Sequence, residues 1–134
     1  MGRMKAGLRG RFYLEAVFIE YAIIEDRLEA ILRHADKWHP KEGSFVSIDT
    51  KTKNVAKLAE EKRTPAHRCF PPDLTDRILV WKEKRNRLIH AIIKQSINID
   101  DILQVAKEGK LLAKQLCSKA TAHHRSIERE KAKK

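Results

Sequence analysis

The segment Leu74–Lys94, with the sequence LTDRILVWKEKRNRLIHAIIK, decides how the rest of the chain is interpreted. Its apolar side chains recur at intervals of three and four residues, the spacing that places them on one face of an α-helix. The residues of this stripe are Leu74, Ile78, Trp81, Leu88 and Ile92. Arg85 falls on the same stripe, where an apolar residue would be expected. The pattern therefore predicts an amphipathic helix with one cation turned toward its packed side.

The same periodicity continues on both sides of this segment. It predicts a long first helix over about Leu8–Trp38, which stops near Pro40 because proline disfavours helix in the residue before it. Beyond Lys94, Asn98 is predicted to be the N-cap of a last long helix.

The connection between the first helix and Leu74–Lys94 is predicted to hold one short helix capped by Thr52. The proline-containing segment 63–72 is predicted to be a loop, with Asp73 as the N-cap of the next helix. Three long helices and one short one predict an all-α fold, an antiparallel four-helix bundle. We expect one domain over residues 1–134, with a basic helical extension from about residue 121.

The chain is strongly basic, because 29 Lys and Arg residues against 18 Asp and Glu residues give a formal net charge of +11. Such a surface attracts polyanions, with nucleic acid first and anionic membrane second. The excess of positive charge is largest near the ends of the chain, above all from Lys107 to Lys134. These terminal cations either bind phosphates or lie on a solvated, fraying helix.

Several classes of protein are not indicated. Cys69 and Cys117 are far apart and belong to no Cys-x-x-Cys pattern, so neither a disulfide framework nor a zinc site is predicted. The histidines lack the spacing of metal ligands and there is no glycine-rich phosphate loop, so we predict no metal and no cofactor. No apolar run approaches the length of a membrane span. We expect a soluble, cytoplasmic protein that does not bind a membrane.

The most informative residues of the segment are Arg85, Asn86 and His90. A charge at the core edge is costly unless it meets a carboxylate, a phosphate or a water-filled groove. Asn86 and His90 are four residues apart and share a helix face adjacent to that of Arg85. Histidine can exchange a proton with a ribose hydroxyl near neutral pH, and arginine can hold two phosphate oxygens. These residue types are typical of a site that cleaves a phosphodiester.

Arg85, Asn86 and His90, late in the third helix of a small bundle, resemble the motif of the HEPN (higher eukaryotes and prokaryotes nucleotide-binding) domains. That motif is an arginine, often followed directly by a polar residue, and then a histidine after four to six residues. The resemblance implies a HEPN-like bundle and a metal-independent endoribonuclease, in which the 2′-hydroxyl attacks the neighbouring phosphorus to leave a 2′,3′-cyclic phosphate. It further implies that Arg85, Asn86 and His90 are the catalytic residues.

The resemblance also implies partners. HEPN protomers pair so that both copies of the motif face one cleft, which predicts a homodimer with the motif at its interface. Members act in toxin or defence systems, so an antitoxin or a nucleotidyltransferase-type partner is a further expectation. In toxins silenced by such a partner a tyrosine stands two residues after the histidine, and here that position is Ile92. Silencing by adenylylation at this place is therefore not expected.

Other residues have two possible roles. Lys82, Arg87 and Lys94 are predicted to hold flanking phosphates of an RNA strand, or else they are solvent-facing cations. Glu25 or Asp26 could orient Arg85 or His90. Two further functions remain open: a catalytically silent HEPN-like bundle that binds nucleic acid or a protein partner, and a basic helical protein that binds nucleic acid through its terminal cations alone.

Overall fold

The computed structural model describes residues 2–96 and 98–133, with side chains from Arg9 onward. The regular secondary structure of this part of the chain is all helical, which confirms the all-α prediction. The five helices are α1 (Gly2–His34), α2 (Ile48–Glu60), α3 (Pro65–Cys69), α4 (Pro72–Ile93) and α5 (Ile99–Ala132). None of the helices within the described residues carries an apolar stretch long enough to cross a membrane.

The two longest helices, α1 and α5, form an antiparallel pair. At one end Gly10 of α1 lies beside Ile102 of α5, and at the other end the ring of His34 stacks on that of His124. Each helix has more than 30 residues, so the pair is roughly 50 Å long. The apolar side chains that face each other along it are fully buried. This long contact is the frame on which the shorter helices pack.

Helix α4 packs against both members of this pair through Trp81. The indole is 1% exposed, lies next to the ring of Tyr21 on α1, and donates its N–H to the carbonyl of Val105 on α5 at 2.9 Å. Gly109 of α5 lies directly against this indole, since a Cβ atom built there would be 2.6 Å from Trp81 Cζ2. The three long helices therefore meet at Trp81, and one glycine permits their close approach.

The short helices differ from the sequence-based expectation. The cap of α2 is Ser47, whose hydroxyl accepts from the backbone N–H of Thr50. The prediction of Thr52 as the cap is therefore wrong: Thr52 is buried inside α2 and its hydroxyl donates to the carbonyl of Ile48. Helix α2 begins at Ile48, whose side chain is already buried in the core, so Thr52 lies one helical turn inside the helix.

The segment predicted to be a loop contains α3, so the described chain has five helices rather than four. Thr64 caps α3 by accepting from the N–H of His67, and Pro65 occupies the first turn, where its missing N–H costs nothing. Asp73 is not the cap of α4 but lies within its first turn, and Pro71 is the residue before the helix. Asn98 caps α5 as predicted, by accepting from the N–H of Asp100.

The ends of α1 and α4 are set by residues with positive φ. Asp36 has a φ of 57°, and the N–H of Lys37 reaches back to the carbonyl of Leu32. Gln95 has a φ of 58°, and the N–H of Ser96 bonds in the same way to the carbonyl of Ala91. Both are Schellman caps without glycine. Helix α1 therefore ends at His34, four residues before the predicted end.

Candidate functional site

Arg85 lies on the inner side of α4, as its place in the apolar stripe predicted. Its guanidinium carbon is 4.1 Å from the ring centroid of Tyr21 and 5.6 Å from that of Phe18, both on α1. At these distances the faces of the two aromatic rings attract the cation. Arg85 is therefore fixed in position by α1 while remaining only half-buried.

The hydrogen bonds of Arg85 use little of its donor capacity. Its Nη1 donates to Asn86 Oδ1 at 3.2 Å, whereas its Nε is buried and has no hydrogen-bond partner within the described chain. None of the described carboxylates lies within ion-pairing distance of Arg85. A guanidinium carries five N–H donors, so most of its capacity to bind an anion is unused.

His90 lies on the same edge of α4 as Asn86 and is exposed. It lies five positions after Arg85, which is a rotation of about 140° around the helix, whereas Asn86 and His90 are only about 40° apart. The structure therefore brings Asn86 together with Arg85, and it does not bring His90 to the guanidinium of the same chain. The imidazole makes no ion pair or hydrogen bond through its side chain in the described residues.

The predicted phosphate-binding cations have different surroundings. The Lys82 side chain is only 11% exposed, and its ammonium bonds to Asp49 and Glu83. These hydrogen bonds raise the pKa of Lys82. Arg87 and Lys94 are exposed, and Arg87 lines a shallow cleft of about 310 Å³ between α4 and the start of α5. The charge of Lys82 is thus neutralised by two carboxylates, whereas Arg87 and Lys94 face solvent.

Glu25 and Asp26 do not orient the motif, and that prediction is wrong. Glu25 accepts from the ammonium of Lys51 on α2 at 3.0 Å. Asp26 pairs with the adjacent Arg27. Glu25 therefore stabilises the packing of α2 and Asp26 pairs within its own helix, because the buried Lys51 needs a partner more than the half-exposed Arg85 does.

Tyr21 and Phe18 are the site residues that sequence reasoning missed. Burial raises the pKa of the Tyr21 phenol, and the positive charge of Arg85 opposes this rise. Phe18 is 46% exposed, so one side of its ring faces solvent beside the guanidinium. The periodicity of α1 places both residues on a helix, but no local pattern indicates that they meet Arg85, which is 64 residues further along the chain than Tyr21.

A separate cluster of histidines lies away from Arg85, at the end of the helix pair where α1 terminates. His34 stacks on His124 with the ring centroids 3.8 Å apart, and the buried His123 ring lies 5.1 Å from that of Phe70. Burial lowers the pKa of His123 to about 4, with the neighbouring histidines adding to the effect. Within residues 2–96 and 98–133 no three His, Cys, Asp or Glu side chains are placed to hold a metal ion.

No protein-family model, curated protein or solved structure matches the chain. The chemistry and geometry of its residues are therefore the grounds for a function.

Proposed function

We propose that the chain is a HEPN-like, metal-independent endoribonuclease that acts as a homodimer in the cytoplasm, in a toxin or defence role. In this proposal α1, α2, α4 and α5 are the four-helix bundle of the fold. The observation that carries the proposal is the state of Arg85: a half-buried guanidinium held by aromatic rings and Asn86, with no ion pair to any carboxylate that the structure describes.

This state of Arg85 favours an external phosphate. Most other partly buried cations of the chain have a carboxylate, as Lys51, Lys82 and Lys84 do. An arginine whose plane is fixed by stacking keeps its remaining donors in a rigid fork, which matches two oxygens of a phosphate. It can therefore stabilise the charge that grows on these oxygens in the transition state.

His90 is the proposed proton carrier. One imidazole takes the proton of the 2′-hydroxyl while the 2′-oxygen bonds to phosphorus. The bond from phosphorus to the 5′-oxygen then breaks, and a second imidazole gives that oxygen its proton. The products are a 2′,3′-cyclic phosphate and a free 5′-hydroxyl, and no metal or cofactor takes part.

The separation of Arg85 from His90 favours a dimer. Because the two residues point about 140° apart on one helix, a single protomer would not place both against one phosphate. A second copy could supply His90 of the partner subunit to the phosphate that Arg85 holds. Exposed apolar side chains beside the motif support such pairing: Ile93 on α4 is 72% exposed, and Phe18 lies next to Arg85.

The proposal is tested by incubating the purified protein with an end-labelled single-stranded RNA in EDTA. We expect the wild type to produce fragments that end in a 2′,3′-cyclic phosphate, and His90→Ala to reduce the cleavage rate by at least about 100-fold. His39→Ala is the matched control, since His39 is also an exposed histidine but lies outside the motif. Full activity of His90→Ala, or no cleavage by a dimeric wild type across several RNAs, would contradict the proposal.

The second candidate is a catalytically silent bundle that binds nucleic acid or a protein partner such as an antitoxin. The specific observation in its favour is Lys82, one of the predicted substrate contacts, whose charge is already neutralised by Asp49 and Glu83. Binding of RNA by the wild type without any cleavage would select this candidate.

A further inference from the structure

The outer face of α5 carries a row of cations, which we name the α5 stripe. Its residues are Lys107, Lys110, Lys114, Arg125 and Arg129. All of them are exposed, and their spacing places them within a sector of about 100° around the helix. This sector lies opposite the residues by which α5 packs into the core, such as Leu112 and Leu116. The stripe therefore faces away from the rest of the molecule.

None of the stripe cations has an acidic partner among the described residues. The only acids in the segment 107–129 are Glu108, which binds Lys84 of α4, and Glu128, which lies 3.5 Å from His124. Elsewhere Arg33, Arg68 and Arg77 are exposed cations with an acidic partner, but most exposed cations of the described chain are unpaired, so the distinguishing feature of the stripe is the alignment of its cations along one helix face. The stripe cations thus form no ion pair within the described residues, although the charge of Lys110 acts on the buried Glu20 of α1 and opposes the rise of its pKa.

The dimensions of the stripe fit an extended polyanion better than a small anion. From Lys107 to Arg129 the helix rises by roughly 33 Å, so the charges lie along one continuous helix over the length of several phosphates. The middle of the stripe carries Ser118 and Thr121, small exposed residues that leave a backbone room to approach. A free phosphate or nucleotide would contact only a fraction of this length.

The stripe is also unlike a surface that inserts into lipid. Helices that lie in a membrane interface combine a basic face with a large exposed apolar face. Here the other side of α5 is buried, and Leu111 is the one large exposed apolar residue among those described on this helix. A soluble polyanion fits this chemistry better than a lipid surface does.

We infer that the α5 stripe is the surface that binds the phosphodiester backbone of RNA, independently of base sequence. This inference rests on the proposed function only for the choice of RNA as the ligand. The stripe is distinct from Arg85, whose aromatic and hydrogen-bond partners in the described structure lie on α1 and α4. It anchors the strand, whereas Arg85 and His90 act on a single phosphate.

The test measures affinity rather than cleavage. Fluorescence anisotropy with a labelled single-stranded RNA is recorded over a range of KCl concentrations for the wild type and for the triple variant Lys107→Gln, Lys110→Gln, Lys114→Gln. The matched control neutralises three exposed cations of another surface, Lys53→Gln, Lys57→Gln and Lys62→Gln, and so removes the same net charge. Circular dichroism verifies that each variant keeps the helical content of the wild type.

We expect the stripe variant to bind at least tenfold more weakly at about 0.1 M salt, with the slope of log Kd against log salt reduced by about 2. The control should lose less than about twofold. Equal losses in both variants would overturn the inference, because the effect would then follow net charge alone. Loss of binding to phosphatidylserine vesicles with unchanged RNA affinity would also overturn it, in favour of a membrane.

The two proposals fail in different ways. His90→Ala should bind RNA as the wild type does, and the stripe variant should cleave at the wild-type rate once RNA is saturating. Absence of cleavage by the wild type would end the ribonuclease proposal and leave the affinity test intact. Unchanged affinity of the stripe variant would end the stripe proposal and leave cleavage untouched.

Discussion

The capacity of Arg85 to bind an external anion depends on whether its guanidinium packs against a carboxylate or against aromatic rings. A carboxylate would neutralise the guanidinium, whereas the rings of Tyr21 and Phe18 fix its plane and leave its charge in place. The helical period of α4 was sufficient to predict that Arg85 turns inward. It could not predict the aromatic partners, because a stacking contact between α1 and α4 depends on how the helices pack and not on local spacing.

Glu20 is a second residue whose charge is at odds with its surroundings. It is 8% exposed, its Oε1 has no hydrogen-bond partner in the described structure, and burial raises its pKa to about 7 from an ordinary 4.5. The folded state therefore holds a proton that the unfolded chain releases at lower pH. The contribution of Glu20 to stability accordingly falls as pH rises from about 4.5 to 7.

We expect Glu20→Gln to stabilise the fold at about pH 8 by up to about 3 kcal/mol and to have little effect at about pH 4.5. Urea unfolding at the two pH values measures the difference. Glu15→Gln on the exposed side of the same helix is the control and should change stability little at either pH. An equal effect of Glu20→Gln at both pH values would show that its carboxylate is not desolvated.

Among the elements, the packing of α4 on α5 depends on Gly109. In an exposed helix, replacing glycine by alanine stabilises by about 1 kcal/mol. At this position a Cβ atom would collide with Glu20 and with the Trp81 indole, which is itself held by its hydrogen bond to Val105. Gly109→Ala should therefore destabilise the protein by about 1–3 kcal/mol, measured by urea or thermal unfolding.

Gly10→Ala is the matched control for this prediction. Gly10 also lies where α1 meets α5, but a Cβ atom there would be 3.7 Å from Ile102 Cδ1, an ordinary van der Waals contact. Without a clash the gain in helix propensity remains, so this variant should be as stable as the wild type or more stable. Equal stability changes in the two variants would show that close packing at Trp81 does not restrict residue 109.

The helices themselves were largely predictable, and their ends were not. Long apolar stripes predict α1, α4 and α5. Asn98 marks the start of α5, because its side chain accepts a hydrogen bond from the first turn of the helix backbone. Asp36 and Gln95 end two helices with positive φ, a conformation that aspartate adopts only occasionally and that glutamine does not favour. Helix α3 was missed because Pro65 suggests a loop, although proline suits the first turn of a helix.

In the whole molecule, contacts between distant segments decide which predicted site residues are free. Lys82 and Arg87 look alike in the sequence, yet the packing of α2 on α4 brings Asp49 to Lys82 and leaves Arg87 in solvent. The cations of the α5 stripe form no ion pair within residues 9–96 and 98–133, because the neighbouring Glu108 and Glu128 are directed to Lys84 and His124. The residue types of the site could be identified from the sequence, but which of their charges are neutralised by an ion pair depends on the tertiary fold.

The end of the molecule where α3 meets α5 should be sensitive to acid. His123 is buried against Phe70, and its pKa is lowered to about 4 by burial. The pKa of His34 is also lowered, first by burial and then by the charge of His124. Since the unfolded chain takes up these protons near pH 6.5, the stability they contribute is present above that pH and is lost as pH falls toward 4.

His123 and Glu20 thus act in opposite directions between about pH 4.5 and 6.5. Acidification removes stability through the histidine and restores it through the carboxyl, so the wild type should show only a shallow pH dependence. Glu20 lies beside Gly109, whereas His123 lies beside Phe70 more than three helical turns further along α5, so their effects should add. Glu20→Gln should then lose stability steeply below about pH 6.5, and His123→Leu should gain stability on acidification. Urea midpoints across this range, with NMR titration of the imidazole protons, measure both slopes, and parallel curves for the two variants would contradict the assignment.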